Sequence, residues 1–151
     1  MKRLRRRYKG EVNTYFNFKN SIEALKFYEE KLGATDIMRV PGNHEMFKDA
    51  PDEFKLPESF TMNASFNLLG KTFLCSDTWQ NKDINNEGAQ ACFQFNYNDE
   101  QDREAVIELF KKAEEAGCKI DMPLNEVEWS PLFGSFQDPF GVTWMVNAYT
   151  E

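Results

Sequence analysis

Residues 65–74, Ser-Phe-Asn-Leu-Leu-Gly-Lys-Thr-Phe-Leu, and residues 135–145, Ser-Phe-Gln-Asp-Pro-Phe-Gly-Val-Thr-Trp-Met, say nearly the same thing. Each reads as a strand, a glycine-bearing turn and a second strand carrying Thr before an aromatic. A second matching pair lies upstream, Phe16-Asn17-Phe18-Lys19-Asn20 and Phe95-Asn96-Tyr97-Asn98-Asp99. Each is followed by helical periodicity that stops at a glycine, Gly33 and Gly117. The chain therefore reads as one module written twice, about 12–77 and about 89–149, each β-α-β-β-β. The expected fold class is α+β: one domain over 11–151, its mixed and mostly antiparallel sheet curled around a cavity, with the helices outside.

Local signals fill in the elements. Alternation over Asn13–Phe18 predicts a strand. Asn20 or Ser21 can cap the helix that follows, with Glu23 placed to complete a capping box and Ile22, Leu25, Tyr28 and Leu32 on the expected buried face. Residues 36–40 read as a short strand. Residues 41–60 hold Pro41, Gly42, Pro51 and Pro57 among charges and read as a long loop. In the second module a helix is expected over 101–116, with Val106, Leu109, Phe110 and Ala113 inward. The strand over 119–126 contains Pro123 and belongs at a sheet edge.

The bulk numbers exclude several classes. No run of apolar residues is long enough to span a bilayer, and no apolar segment follows the basic start as a secretory signal would require. Cys75, Cys92 and Cys118 are three in number and widely spaced, which points to a reducing, cytoplasmic setting rather than a disulfide framework. The net charge is −7. Residues 1–10 nevertheless carry Lys2, Arg3, Arg5, Arg6, Arg7 and Lys9 and no acid, so the body is more acidic than the total. An acidic body repels nucleic acid, and the basic tail reads as a flexible, solvated terminus.

Strand alternation sorts side chains onto two faces. Phe16, Phe18, Phe66, Phe73, Phe93, Phe95, Phe136, Trp144 and Val146 fall on one face, expected under the helices. The alternate face holds Asn13, Tyr15, Asn17, Asn63, Ser65, Asn67, Cys92, Gln94, Ser135 and Asn147, which are polar or thiol-bearing but uncharged. A freely solvated face favours Lys and Glu, so this composition suits an enclosed surface that takes a small molecule.

These residues resemble a known family. Asp138-Pro139-Phe140-Gly141-Val142-Thr143-Trp144-Met145-Val146-Asn147, Met122-Pro123-Leu124 followed by Trp129, and Glu23-Ala24-Leu25-Lys26-Phe27-Tyr28 leading to Leu32-Gly33 resemble the PhnB-like proteins of the vicinal oxygen chelate superfamily. That superfamily includes glyoxalase I, extradiol dioxygenases and bleomycin-resistance proteins. The resemblance covers 12–149 and implies paired modules around a shared cavity, in a homodimer. Its enzymes hold a divalent metal with His, Gln or Glu, and those places fall here on Asn13, Leu74, Cys92 and Met145. Many relatives carry His near the start of the third strand, where this chain has Asn63. Leu and Met do not hold a hard or borderline cation, so no metal and no cofactor are expected.

The ligand cavity is expected to involve Asn13, Tyr15, Asn63, Ser65, Cys92, Gln94, Trp129, Phe133, Met145 and Asn147. Catalytic residues are not identifiable. His44, the only histidine, is either a base on a lid or an idle loop residue. Cys92 reads as a buried, inert thiol. No G-x-G-x-x-G, G-x-S-x-G, Walker loop or H-E-x-x-H is present, so the methyltransferase label that some relatives carry finds no support. The expected function is a small-molecule-binding protein of glyoxalase/bleomycin-resistance type without the usual metal centre. The alternatives are a metal-dependent lyase or dioxygenase of that superfamily, and a purely structural dimer.

Overall fold

The computed structural model describes residues 7–151. The basic tail extends to residue 10, and residues 1–6 lie outside the described part. Two β-α-β-β-β modules follow one another, as the repeat predicts. In the first, β1 (Tyr15–Phe18) leads to α1 (Ser21–Leu32), β2 (Thr35–Pro41), β3 (Thr61–Leu68) and β4 (Lys71–Asp77). In the second, β5 (Ala91–Asn96) leads to α2 (Glu100–Glu115), β6 (Lys119–Val127), β7 (Ser130–Gln137) and β8 (Thr143–Tyr149). Each module forms its own four-stranded mixed sheet, ordered β1-β4-β3-β2 and β5-β8-β7-β6. The first strand of each module pairs parallel with its last, and the other pairings are antiparallel.

Helix termini follow the sequence signals. Asn20 Oδ1 accepts the backbone N–H of Glu23 at 3.1 Å, and Gly33 closes α1 at φ 79°, a conformation that glycine adopts without Cβ strain. Asp99 caps α2 in the same way through the Asp102 N–H. The buried face of α1 consists of Ser21, Ala24, Leu25, Tyr28 and Leu32. Ile22, expected inside, is exposed. It stands one helical step, about 100°, from Ser21, and the smaller residue holds the inward place. The face expected for α2 is the one observed. The long loop contains two single 3-10 turns, Glu45–Phe47 and Asp52–Phe54. The strand bearing Pro123 is the edge strand β6, and its pairing with β7 slips on both sides of Met122.

The bulky strand faces meet in one core shared by both modules. Trp144 of β8 lies 5.1 Å from Phe73, 5.7 Å from Phe16 and 5.7 Å from Tyr28, ring centre to ring centre, and stacks on Phe93 at 6.0 Å. Phe140, in the turn before β8, packs edge-on against Phe18 at 5.8 Å and Phe27 at 5.7 Å. Such edge-to-face and offset aromatic pairs contribute beyond their buried area. The last hairpin is thereby seated on the first strand and helix.

Two buried carboxylates hold the strand ends. Asp77 ends β4 and accepts the N–H of Ser21 at 2.7 Å and of Thr61 at 3.1 Å. It ties the start of α1 to the start of β3. Asp138, just after β7, accepts four hydrogen bonds, from Tyr28 Oη at 2.6 Å, Trp144 Nε1 at 2.9 Å, and the N–H groups of Phe140 at 2.8 Å and Val142 at 3.1 Å. Burial alone pushes the Asp138 carboxyl above its ordinary value, against the pull of these four donors. Burial also holds the Tyr28 hydroxyl well above its ordinary value, with the Asp138 charge adding to it.

Candidate functional site

The site begins from strand register, because partners across a sheet share a face. On the first sheet, Tyr15 lies opposite Leu74, Leu74 opposite Ser65, and Ser65 opposite Met38. On the second, Cys92 lies opposite Met145, Met145 opposite Ser135, and Ser135 opposite Met122. These are the same row of the two modules, since Ser65-Phe66 and Ser135-Phe136 are the repeated pair. Tyr15, rather than Asn13, is therefore the counterpart of Cys92, and Phe16 matches Phe93 rather than Phe95. The sequence repeat misplaces them because the stretch from this row to the helix cap is two residues longer in the second module, Cys92 to Asp99 against Tyr15 to Asn20, so aligning on the helix caps slides the strands by one side-chain period.

The next row of the second sheet runs Gln94, Asn147, Phe133 and Asn125. Asn147 Oδ1 is buried and accepts no hydrogen bond from the described residues. Phe133 is half-buried and carries Trp129 edge-on at 5.5 Å. Trp129 itself is 66% exposed. On the first sheet, Asn17 Oδ1 accepts from Ser76 Oγ at 3.3 Å, and Asn63, opposite Val40, is exposed.

The ten expected cavity residues therefore fall into three places. Tyr15, Asn63 and Ser65 lie on the polar face of the first sheet. Phe133, Met145 and Asn147 lie on that of the second, with Trp129 at its rim. Cys92 and Gln94, the row partners of Met145 and Asn147, reach the seam between modules, where with Asn13 they line a groove of about 330 Å³ together with Glu11, Thr14, Lys71 and Phe73. There Asn13 is held by its side-chain N–H, which donates to the Thr72 carbonyl at 3.0 Å.

The thiols differ from expectation. Cys92 is exposed, whereas Cys75 and Cys118 are buried. Cys92 stands on β5, an edge strand of the second sheet. Burial pushes the Cys75 thiol up to about 12 and the Cys118 thiol up to about 11, and partial burial raises that of Cys92 as well. His44 has a structural task. Its Nδ1 accepts the Met46 N–H at 3.1 Å and caps the first 3-10 turn, and the ring packs edge-on to Phe47.

The donor set does not fit the divalent centre that the resemblance implies. The rows at the expected places present Tyr15 and Leu74 on one sheet and Cys92 and Met145 on the other, and leucine offers no donor atom. Among the described residues, no three His, Cys, Asp or Glu side chains come together as a metal cluster would need. No helix of the described residues is long and apolar enough to cross a membrane.

Asp77 and Asp138 are the polar groups that the sequence reading missed; Asn147 was expected in the cavity, but not with a buried, unpaired Oδ1. For the two aspartates a signal existed, namely a lone carboxylate closing an apolar strand immediately before a turn. For Asn147 none did, because its burial depends on Phe133 and Gln94 of two other strands.

Comparison with known proteins agrees with the geometry. Protein YjdN of Escherichia coli K12 is 26% identical over 148 residues, which is 93% of this chain and 96% of that protein. A crystal structure of protein PA1353 from Pseudomonas aeruginosa superposes with a TM-score of 0.63 at 24% identity, covering 95% of this chain and all of the other. A PhnB protein from Bacillus cereus, described as a putative 3-demethylubiquinone-9 3-methyltransferase, superposes at 0.58 with 22% identity, over 93% of this chain and 100% of that one. These two structures share the paired-module fold. The family profile matches residues 17–146, nearly the whole of both modules, and the chain belongs to the Glyoxalase/Bleomycin resistance protein/Dioxygenase superfamily.

Proposed function

We propose that this protein binds a small, moderately polar organic molecule on its uncharged sheet faces, without the divalent metal centre typical of its enzymatic relatives. The observation that carries this reading is the unpaired, buried Oδ1 of Asn147, flanked by Gln94 and Phe133 in its row. A buried acceptor without a donor costs about 1–3 kcal/mol, and a ligand N–H or O–H placed there recovers it. Trp129 and Phe133 beside it offer apolar surface for the ligand body. A symmetric homodimer would cover the aromatic and methionine side chains that the faces leave open.

The test is a thermal-shift screen of small aromatic and amide-bearing molecules against wild type and Asn147→Leu. Ligands that stabilise the wild type and lose most of that effect in the variant support the reading. Metal analysis accompanies it, and stoichiometric Zn, Ni, Fe or Mn whose removal lowers the melting temperature overturns it. Sedimentation at micromolar concentration reads the dimer, and a monomer throughout removes that part.

A further inference from the structure

The repeat gives a cavity of one module a counterpart in the other. Asn20 caps α1 and Asp99 caps α2, so Val106 is the counterpart of Phe27 and Asp102 that of Glu23. Tyr15 and Cys92 stand in the same row, so Phe95 is the counterpart of Phe18. The last hairpin turns through Pro139-Phe140-Gly141, and its counterpart between β3 and β4 is the shorter turn Leu69-Gly70. Phe140 occupies the slot between β1 and α1. Its ring lies 5.8 Å from Phe18, 5.7 Å from Phe27 and 5.9 Å from Tyr28, and a groove of about 240 Å³ remains beside it.

The turn sends no aromatic ring into the counterpart slot. Between Leu69-Gly70, β5 and the first turns of α2, a cavity of about 310 Å³ stands open, lined by Phe93, Phe95 and Val106. Phe140 and Phe27 are thus both without an aromatic equivalent there. Phe95 and Val106 are buried, so one wall is the core itself and is formed without a ligand. Lys71 and Asp102 line the same cavity. Both are exposed, and among the described residues neither forms an ion pair, with the other or with any third group. Packing does not demand the lysine, because its place in the second hairpin is taken by the buried Val142. Two unpaired opposite charges at one apolar slot complement a ligand that carries both charges beside an apolar body.

We propose that this cavity binds a free aromatic amino acid or another small aromatic zwitterion. The ligand ring takes the place that Phe140 fills in the other half, against Phe93 and Phe95, where edge-to-face and offset contacts favour an aromatic over an aliphatic body. Lys71 receives the carboxylate and Asp102 the ammonium. The site adjoins the seam groove, with which it shares Lys71, Phe93 and Gln94, but it lies against α2 and does not rest on Asn147.

The experiment is isothermal titration calorimetry of the full chain with phenylalanine, which should bind at one site per chain. Phenylacetate lacks the ammonium and phenethylamine lacks the carboxylate, and each should bind at least tenfold more weakly. Alanine, which lacks the ring, should not bind. Lys71→Met and Asp102→Asn should each weaken phenylalanine binding at least tenfold, with circular dichroism unchanged. Ala105 lines the cavity from α2 at an exposed position, so Ala105→Phe places a ring in the slot and should abolish binding without lowering the melting temperature. Absence of binding at millimolar phenylalanine overturns the proposal. So does binding that survives Ala105→Phe, or that neither charge variant weakens.

Discussion

Tyr28 donates a 2.6 Å hydrogen bond to Asp138, although 110 residues separate them in sequence. The bond joins the middle of the first helix to the turn before the last strand, inside the shared aromatic core. Trp144 Nε1 donates to the same carboxylate oxygen. The two modules are thus coupled by a charge as well as by packing.

Tyr28→Phe keeps the ring stacked on Phe66 but removes one of four donors to a buried carboxylate. Hydrogen bonds to charged groups contribute about 1.5–3 kcal/mol each. The variant should be destabilised by about that amount, as read by urea denaturation. A change below about 0.5 kcal/mol would mean that Asp138 is not bonded to Tyr28 in solution.

Asp138 also sets a pH dependence. Its carboxyl is raised in the folded state, chiefly by burial, so the native chain binds this proton more tightly than the unfolded chain. The stability it contributes is fully present below its ordinary value of 3.8 and is lost as pH rises through the raised folded value. Subtracting the stability–pH curve of Asp138→Asn from that of wild type should show this decline in that window. A difference curve that rises with pH would contradict it.

Thiol titration should separate the three cysteines. Cys75 and Cys118 are buried and their thiols are pushed up to about 12 and about 11. At pH 8 one equivalent of Ellman's reagent should react with native protein and three with protein in guanidinium. Cys92→Ser should abolish the first equivalent.

Gly134 of β7 lies against Phe110 of α2. A Cβ there would lie 2.9 Å from Leu124 Cδ2, 3.0 Å from Phe110 Cε1 and 3.1 Å from the Met122 carbonyl oxygen. The carbonyl belongs to the paired strand and cannot swing aside. Gly134→Ala should therefore cost about 1–3 kcal/mol, seen as a lowered melting temperature. An unchanged melting temperature would place α2 farther from β7.

Much of the fold was legible because alternation in Phe16-Asn17-Phe18 and the repeated Ser-Phe and Thr-aromatic pairs are local signals with a fixed period. The exposure of Ile22 was not, because a twelve-residue helix offers two overlapping apolar stripes and the sheet chooses between them. The face assignments of Tyr15, Asn63 and Gln94 followed from alternation too. The seam that brings Asn13 to Cys92 and Gln94 did not, since it depends on how two sheets meet rather than on any one strand. The exposure of Cys92 shares that cause, because β5 carries no proline or other residue that marks it as an edge strand.

The parallel pairing of each module's first strand with its last also governs timing. As the chain leaves the ribosome, β1 has no partner until β4 is out, and the Ser21 N–H waits equally long for Asp77. Neither module can therefore close progressively from its N-terminus. Each must stay open until its last strand arrives, and the core they share must wait for Trp144 of β8. Contacts of such long sequence separation slow folding and prolong the exposure of unpaired strands. A nascent chain stalled before residue 143 should thus be a client for chaperones that shield Phe-rich strands, and the final hairpin should act as the signal that releases it.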